Sequence, residues 1–458
     1  MAVVSLQLGQ CGNQIGHHLY TAILQDALAA KKHGQESYCE LSTERFFSRM
    51  KGSLCPRTVL VDMENKVIQQ SLEQSKAAKL WSYDDECIYS RRLGSGNNWG
   101  NGYCHYGSVV MDDVMGMVRR QVERCDHLGG FLVLMSVAGG TGSGVGSRLT
   151  ELLRDEYPHA FSMNQVVWPY MSGEVIVQDF NTLLTLSHIY DASDAVLIVQ
   201  NDSVHKICSH LLGMKNVSFD AMNGVICRSL ASMLQPGAVS DGDPAATRGG
   251  GRAEDRFHFG DLLSHLVPHP HYRLLTLSSI PHTAAGSQAF TRYLWSGLLK
   301  HLHQMLITAA PTDQGMDWTT SVATTGQGPD VAGKRPQGRR RQTNKSISLA
   351  LALRGTEVET ADVSLFKNPA LYSDSAAAGS PLVVARDSHK FCSYDKSISL
   401  LSNSQAVIEP LNLVCQRGWS KHTAKSYLHQ YTKYGLEESE FSDAFLKAEH
   451  VLSLYQSL

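Results

Sequence analysis

Residues 131–146 read Phe131-Leu132-Val133-Leu134-Met135-Ser136-Val137-Ala138-Gly139-Gly140-Thr141-Gly142-Ser143-Gly144-Val145-Gly146. An apolar run without alternation fits a strand buried on both faces, as in a parallel sheet covered by helices. Five glycines between Gly139 and Gly146 follow it at once, and helical spacing resumes beyond them. Strand, glycine-rich turn and helix, in that order, present backbone N–H groups to an anion at the positive end of a helix dipole, with no Cβ in the way. This pattern predicts a phosphate cradle. No Lys-Ser or Lys-Thr follows the glycines, which excludes a Walker A loop, and the spacing is not Gly-x-Gly-x-x-Gly, which disfavours a dinucleotide enzyme.

The same grammar recurs outward from this stretch. Val3 to Leu8 runs into Gly9-Gln10-Cys11-Gly12-Asn13-Gln14-Ile15-Gly16 and then into helical spacing from His17 to Ala30. Thr58 to Val61, Gln165 to Trp168 and Ala195 to Val199 read as further strands of one sheet, and ligands of open α/β sheets bind at the C-terminal edge of the strands. The expected fold is α/β: an N-terminal parallel-sheet nucleotide-binding domain over residues 1–205, a second α/β domain over 206–402 and a C-terminal helical hairpin over 403–458. Within the second domain the pattern predicts a core helix over 219–234, helices near Gly260 to Leu266 and Tyr293 to Thr308, and strands at Arg273 to Leu277 and Ile347 to Leu353. Flexible insertions are expected at 235–255 and 319–344, where Gly, Pro, Thr and Gln collect. From Asn403 onward the chain reads as helical, with Phe441, Phe445, Leu446, Val451, Leu452 and Tyr455 at helical spacing.

Composition narrows the function classes. Of 458 residues 43% are apolar and 18% charged, which is globular. Lys and Arg number 41 against 43 Asp and Glu, so no global positive field is available for a nucleic-acid backbone. Ten scattered cysteines without a Cys-x-x-Cys pair read as free thiols of a reducing compartment. The chain carries no apolar run of membrane-spanning length and no basic leader, so no membrane insertion is expected and the cytoplasm is the expected compartment. His265, His269 and His271 alternate with Pro268 and Pro270, which breaks helical ligand spacing. The run Lys334, Arg335, Arg339, Arg340, Arg341, Lys345 reads as a solvated loop, or as a nuclear-import or docking patch.

The loops together resemble those of the tubulins. Gly139-Gly140-Thr141-Gly142-Ser143-Gly144 is similar to the tubulin glycine signature, with Ala138 where another glycine is usual. Gly9 to Gly16 is similar to the first nucleotide loop, Val61-Asp62-Met63-Glu64 to the second and Gly96-Asn97-Asn98-Trp99 to the third. Leu266-Val267-Pro268 and Tyr427-Leu428-His429-Gln430-Tyr431-Thr432 extend the resemblance over essentially the whole chain. Ser95 to Trp99, Trp168-Pro169-Tyr170, Gly173 to Gln178 and the ending without an acidic tail look most like the delta branch.

The resemblance implies GTP or GDP with Mg²⁺. Gln10, Cys11, Ser136, Gly139, Gly140, Thr141, Gly142, Ser143 and Gly144 would meet the phosphates, Asn97 the terminal one, and Glu64 the magnesium. Gln14, Asn201 and Asn223 would read the guanine edge, with Phe219 stacking on the base where many tubulins have tyrosine. Glu174 and Gln178 belong to the ribose-side loop, Gln178 standing where a glutamate is common. Counting back from Val267-Pro268, Asp261 occupies the acidic position that tubulins press against a neighbour's nucleotide; as a lone residue it is equally a first-turn helix acid. Arg256 and His258 depart from the family pattern just before it. The implied partners are other tubulins, epsilon-type, alpha or beta, with centriolar or basal-body proteins. The implied place is the cytoskeleton of the centriole, basal body and cilium. A polymerising GTPase of ordinary microtubules and a non-polymerising GTP-binding regulator are the alternative readings.

Overall fold

The computed structural model describes residues 1–50, 52–173, 175–239, 258–288, 290–322, 343–374 and 380–458. Glu174, Arg256, most of both expected insertions, and the basic run apart from Lys345 lie outside the described residues. The strands are β1 (Ala2–Leu8), β2 (Phe47–Met50), β3 (Ser53–Pro56), β4 (Thr58–Asp62), β5 (Ile88–Ser90), β6 (Leu128–Ser136), β7 (Ser162–Trp168), β8 (Ala195–Gln200), β9 (Ala238–Val239), β10 (Leu274–Ile280), β11 (Ser346–Gly355), β12 (Leu382–Asp387) and β13 (Lys396–Ser404). One sheet runs β5-β4-β1-β6-β7-β8-β10-β13-β11-β12-β9, while β2 and β3 pair separately.

From β5 to β10 every pairing is parallel, so the strands from β5 to β8 all end on one edge. Hydrogen bonding continues across residue 205, with Leu274 and Leu275 of β10 opposite Val196 and Leu197 of β8. Beyond β10 the sheet changes character: β13 is antiparallel to both β10 and β11, and β11 pairs in parallel with β12.

Helices bury the sheet on both sides, which is why strands such as β6 and β8 are almost wholly apolar. Leu132 and Leu134 of β6 meet Ile15 and Leu19 of the first helix (Gly9–Lys32), Val225 and Leu230 of the core helix (Phe219–Leu234) and Leu262. Their neighbours Phe131, Val133 and Met135 turn to the opposite face, in a core with Val110, Leu149, Leu183, Phe441 and Phe445. The C-terminal helices Ile408–Thr423 and Glu438–Gln456 lie on this second face, Trp419 stacked on Phe445 at 4.4 Å, and both pack against helix Gln178–Ala192. No described helix is long and apolar enough to cross a membrane.

Two sequence expectations need correction. Asn403 lies in β13, and the C-terminal helices begin only at Ile408. The buried Asn403 amide donates to the carbonyls of Leu266 (2.9 Å) and Tyr272 (2.7 Å), contacts that hold it in the sheet. The helix expected from Tyr293 starts at Trp295.

Candidate functional site

Six loops converge on the edge where the parallel strands β1, β4, β5, β6, β7 and β8 end. At the first, Gly9 takes φ +68° and lets the chain turn from β1 straight into a helix whose first N–H groups have no side-chain cap. Gln10 there is exposed and Cys11 half-buried. Burial pushes the Cys11 thiol up to about 12, so it stays neutral and offers its backbone N–H rather than a thiolate. Asn13, fully buried, donates to the carbonyls of Gly9 (2.8 Å) and Val61 (3.3 Å) and so joins this loop to the end of β4.

The second loop carries two carboxylates. Glu64 is exposed, and the Cβ that Gly94 lacks would stand 2.2 Å from its Oε1, so Gly94 makes room for the carboxylate. Asp62 is only 4% exposed, with Oδ1 accepting from the Glu64 N–H (3.2 Å) and Oδ2 buried without a hydrogen-bond partner among the described residues. Burial raises its pKa from 3.8 to about 6. Below pH 4 this carboxyl is neutral folded or unfolded; as pH rises through 6 the folded, ligand-free protein acquires an uncompensated charge and loses stability. Shifting the ligand-free protein from pH 7.5 to pH 5 should therefore recover about 1–2 kcal/mol through Asp62. Denaturant titrations of wild type and Asp62→Asn at both pH values check this: the variant should lack that increment.

The third and fourth loops face each other. Asn97, exposed and left-handed at φ +52°, brings its Oδ1 to 3.6 Å from the place of a Gly139 Cβ. Ser95 and Thr141 join their hydroxyls at 2.9 Å across the gap. Ser136 Oγ accepts from the Ala138 N–H (3.2 Å) and so shapes the turn out of β6. The glycines themselves have two physical reasons, where the sequence reading supplies one. A Cβ on Gly140, Gly142 or Gly144 would lie 2.5 Å from Ser95 Oγ, 2.9 Å from the Ser136 carbonyl oxygen or 2.3 Å from the Trp99 carbonyl oxygen. These three glycines allow backbone to pack on backbone; Gly139, with only Asn97 near, is the one open to a ligand. Both segments, Asn101–Tyr106 and Thr141–Val145, coil as wide π-type turns, a geometry frequent at functional sites.

The residues expected to meet the base lie on helices. Asn201 opens the helix after β8, and Phe219 and Asn223 sit one turn apart on the core helix, hence on one face. Phe219 is 47% exposed, its ring 6.4 Å from that of Tyr170, and Asn223 is 5% exposed with no side-chain hydrogen bond to any described residue. Gln14 is half-buried on the first helix, one turn before His18, which reaches Asp220 at 3.0 Å. Gln178 is buried and donates to the Tyr170 carbonyl (2.9 Å), so it holds the loop after β7 from within.

Asp261 is elsewhere. It is exposed in the first turn of helix Phe259–Leu266, which docks on the start of β6, where a Gly130 Cβ would stand 2.9 Å from the Phe259 ring. The glycine loop leaves the other end of that strand, six residues or about 20 Å away at ~3.3 Å per residue.

Sequence reasoning overlooks three residues here. Asp62 lies inside a quoted motif, but only the fold reveals its burial. Tyr170, which follows the strand-breaking Pro169, gathers His205 Nδ1 (3.1 Å) and Met222 Sδ (3.0 Å) on its hydroxyl. Asn181 carries no local motif at all.

An open parallel sheet with facing glycine and asparagine loops at its C-terminal edge is a nucleotide-binding architecture, and the family model of the Tubulin/FtsZ family GTPase domain matches residues 2–209. Aligned over 468 positions that cover all of both chains, the sequence is 41% identical to the tubulin delta chain of Macaca fascicularis. It is 40% identical to the tubulin delta chains of Mus musculus and Homo sapiens over the same span. The chain belongs to the tubulin family and is a GTP-binding cytoskeletal protein.

Proposed function

We propose that this chain is a structural tubulin subunit of centriole and basal-body microtubules, and so of cilia, in which GTP is a conformational ligand and its hydrolysis depends on assembly. The observation that carries the reading is the separation of Asp261 from the glycine loop at opposite ends of β6. A chain with a half-open site at one end and an exposed acid at the other suits head-to-tail stacking, a heterologous contact that generates filaments rather than closed dimers. The delta-chain likeness supports the centriolar setting and other tubulins as partners.

Within the site, Asn201, Asn223 and Gln14 are assigned to the guanine edge, Phe219 to its face, and Gln10, Cys11, Ser136, Thr141 and the glycines to the phosphates. None of residues 9–16, 95–99 and 136–146 is Lys or Arg, so phosphate charge must be met by N–H dipoles and a cation. Asp62 and Glu64 fit magnesium, which takes one or two carboxylates and keeps several waters, and the buried Asp62 Oδ2 has no hydrogen-bond partner among the described residues. Bound there, Mg²⁺ would neutralise phosphate charge. Purified protein should release guanine nucleotide on denaturation in preference to adenine nucleotide, and a chelator should speed its exchange in wild type far more than in Glu64→Gln. Equal retention of ATP and GTP would overturn the base assignment, and a chelator effect undiminished in Glu64→Gln would overturn that of the metal.

A further inference from the structure

The Asn181 carboxamide is completely buried in the first turn of helix Gln178–Ala192 and makes four hydrogen bonds. Its Nδ2 donates to the carbonyl of Ala138 (2.7 Å), in the glycine loop, and to that of Asn97 (2.8 Å), in the facing loop. Its Oδ1 accepts from the backbone N–H of Trp99 (3.0 Å) and from the hydroxyl of Tyr431 (2.7 Å), in the C-terminal segment. Two donors and two lone pairs are the full capacity of an amide, and the partners fix its orientation, because a flipped amide would set its oxygen against two carbonyls. The adjoining residues make the same connection: Asn98 Nδ2 donates to the Gln430 carbonyl (3.1 Å), and Lys421 Nζ binds Asp179 at 2.5 Å.

We propose that Asn181 is a positioning residue that sets the spacing of the two phosphate-side loops, and that the Tyr431 hydroxyl makes this spacing depend on the seating of the C-terminal helices. The inference rests on the nucleotide reading above and goes beyond it, since neither residue lies among the proposed ligand contacts. The two carbonyls that Asn181 grips belong to the two loops that face each other at Gly139, where the one heavy atom of a described residue within 4 Å of an added Cβ is Asn97 Oδ1. Loosening them should affect the phosphate end of a ligand and leave the base end, held by the core helix, largely alone. A residue that merely stabilised the core would weaken every ligand alike.

The test compares the affinities of labelled GTP and GMP for full-length wild type, Asn181→Asp and Tyr431→Phe, each first verified as folded by circular dichroism. Asn181→Asp replaces both donor hydrogens with an acceptor facing two carbonyls, and should lower the ratio of GTP to GMP affinity on the order of 100-fold. Tyr431→Phe removes one hydroxyl and leaves Trp99 as partner of Asn181 Oδ1, so the ratio should fall about five-fold, with GMP binding unchanged. A folded variant of either kind with the wild-type ratio overturns the proposal, as does an equal loss for both nucleotides; should Asn181→Asp not fold, Tyr431→Phe decides. Wild type that binds no guanine nucleotide would instead sink the nucleotide reading itself.

Discussion

Gly144→Ala should strip the purified protein of nucleotide and destabilise its fold, while Gly139→Ala, five residues earlier in the same loop, should unfold like wild type. The two glycines look alike in sequence and differ in what a methyl group would meet. At Gly144 the new Cβ would lie 2.3 Å from the Trp99 carbonyl oxygen, 2.7 Å from the Tyr103 nitrogen and 2.9 Å from the Gly102 Cα. All three are backbone atoms, and the Tyr103 and Gly102 atoms belong to the facing π-type turn, so no side chain can swing aside and one turn must retreat from the other. Overpacking of this kind costs about 1–3 kcal/mol where neighbours can adjust and more where they are backbone. At Gly139 the nearest heavy atom is Asn97 Oδ1 at 3.6 Å, an ordinary contact. Since one of the two turns that separate in Gly144→Ala, Thr141–Val145, is the one whose N–H groups are assigned to phosphate, losing two charge-assisted bonds of about 1.5–3 kcal/mol each would reduce affinity by two to four orders of magnitude. Denaturation midpoints and the nucleotide released on heating check both halves. A Gly144→Ala protein that unfolds with wild type would show that the π-type turns slide freely and that the glycines serve anion access after all.

That contrast also marks how far the sequence could be read. The helix Phe219–Leu234 has the expected limits because its stops are local: the Ser218 hydroxyl accepts from the Ala221 N–H (3.2 Å) at one end, and Pro236 follows closely at the other. The strands β1, β4, β6, β7 and β8 are legible for a similar reason, since burial on both faces selects apolar runs such as Phe131 to Met135, although the polar start of β7, Ser162 to Asn164, escapes the pattern. β13 is not, because Lys396-Ser397-Ile398-Ser399-Leu400-Leu401-Ser402-Asn403-Ser404 has the composition of a loop. Its serines become tolerable inside the sheet only through partners far away in sequence, Ser399 with Ser232 (2.9 Å) and Ser402 with Thr276 (2.8 Å). The site divides along the same line. Glycines and asparagines in loops after strands announce a nucleotide edge. Asn181 depends on loops 43 and 84 residues away and on a tyrosine 250 residues further on, and no local pattern encodes that meeting.

Asp261→Ala should leave GTP binding by the isolated chain unchanged and slow hydrolysis ~10² to 10⁴-fold in a co-assembly where this chain stacks on a GTP-bearing partner, the usual contribution of a positioned general base. The first half follows from distance: Asp261 stands at the start of β6 and the glycine loop at its end, about 20 Å apart at ~3.3 Å per residue, so the side chain cannot touch its own nucleotide. The second half follows from exposure. Gln10, Glu64, Asn97 and Phe219 are all exposed along the proposed nucleotide edge, so the isolated site is open to water. A neighbour's surface would close the edge and bring a single fixed carboxylate to it. Asp261 is suited to the task because Phe259, Leu262, Leu263 and Leu266 anchor its short helix in the core while its own side chain points outward. Single-turnover hydrolysis in the reconstituted assembly measures the effect. An unchanged rate would mean that Asp261 is only the first-turn acid of its helix, and that the chain caps or flanks its neighbours without activating their nucleotide.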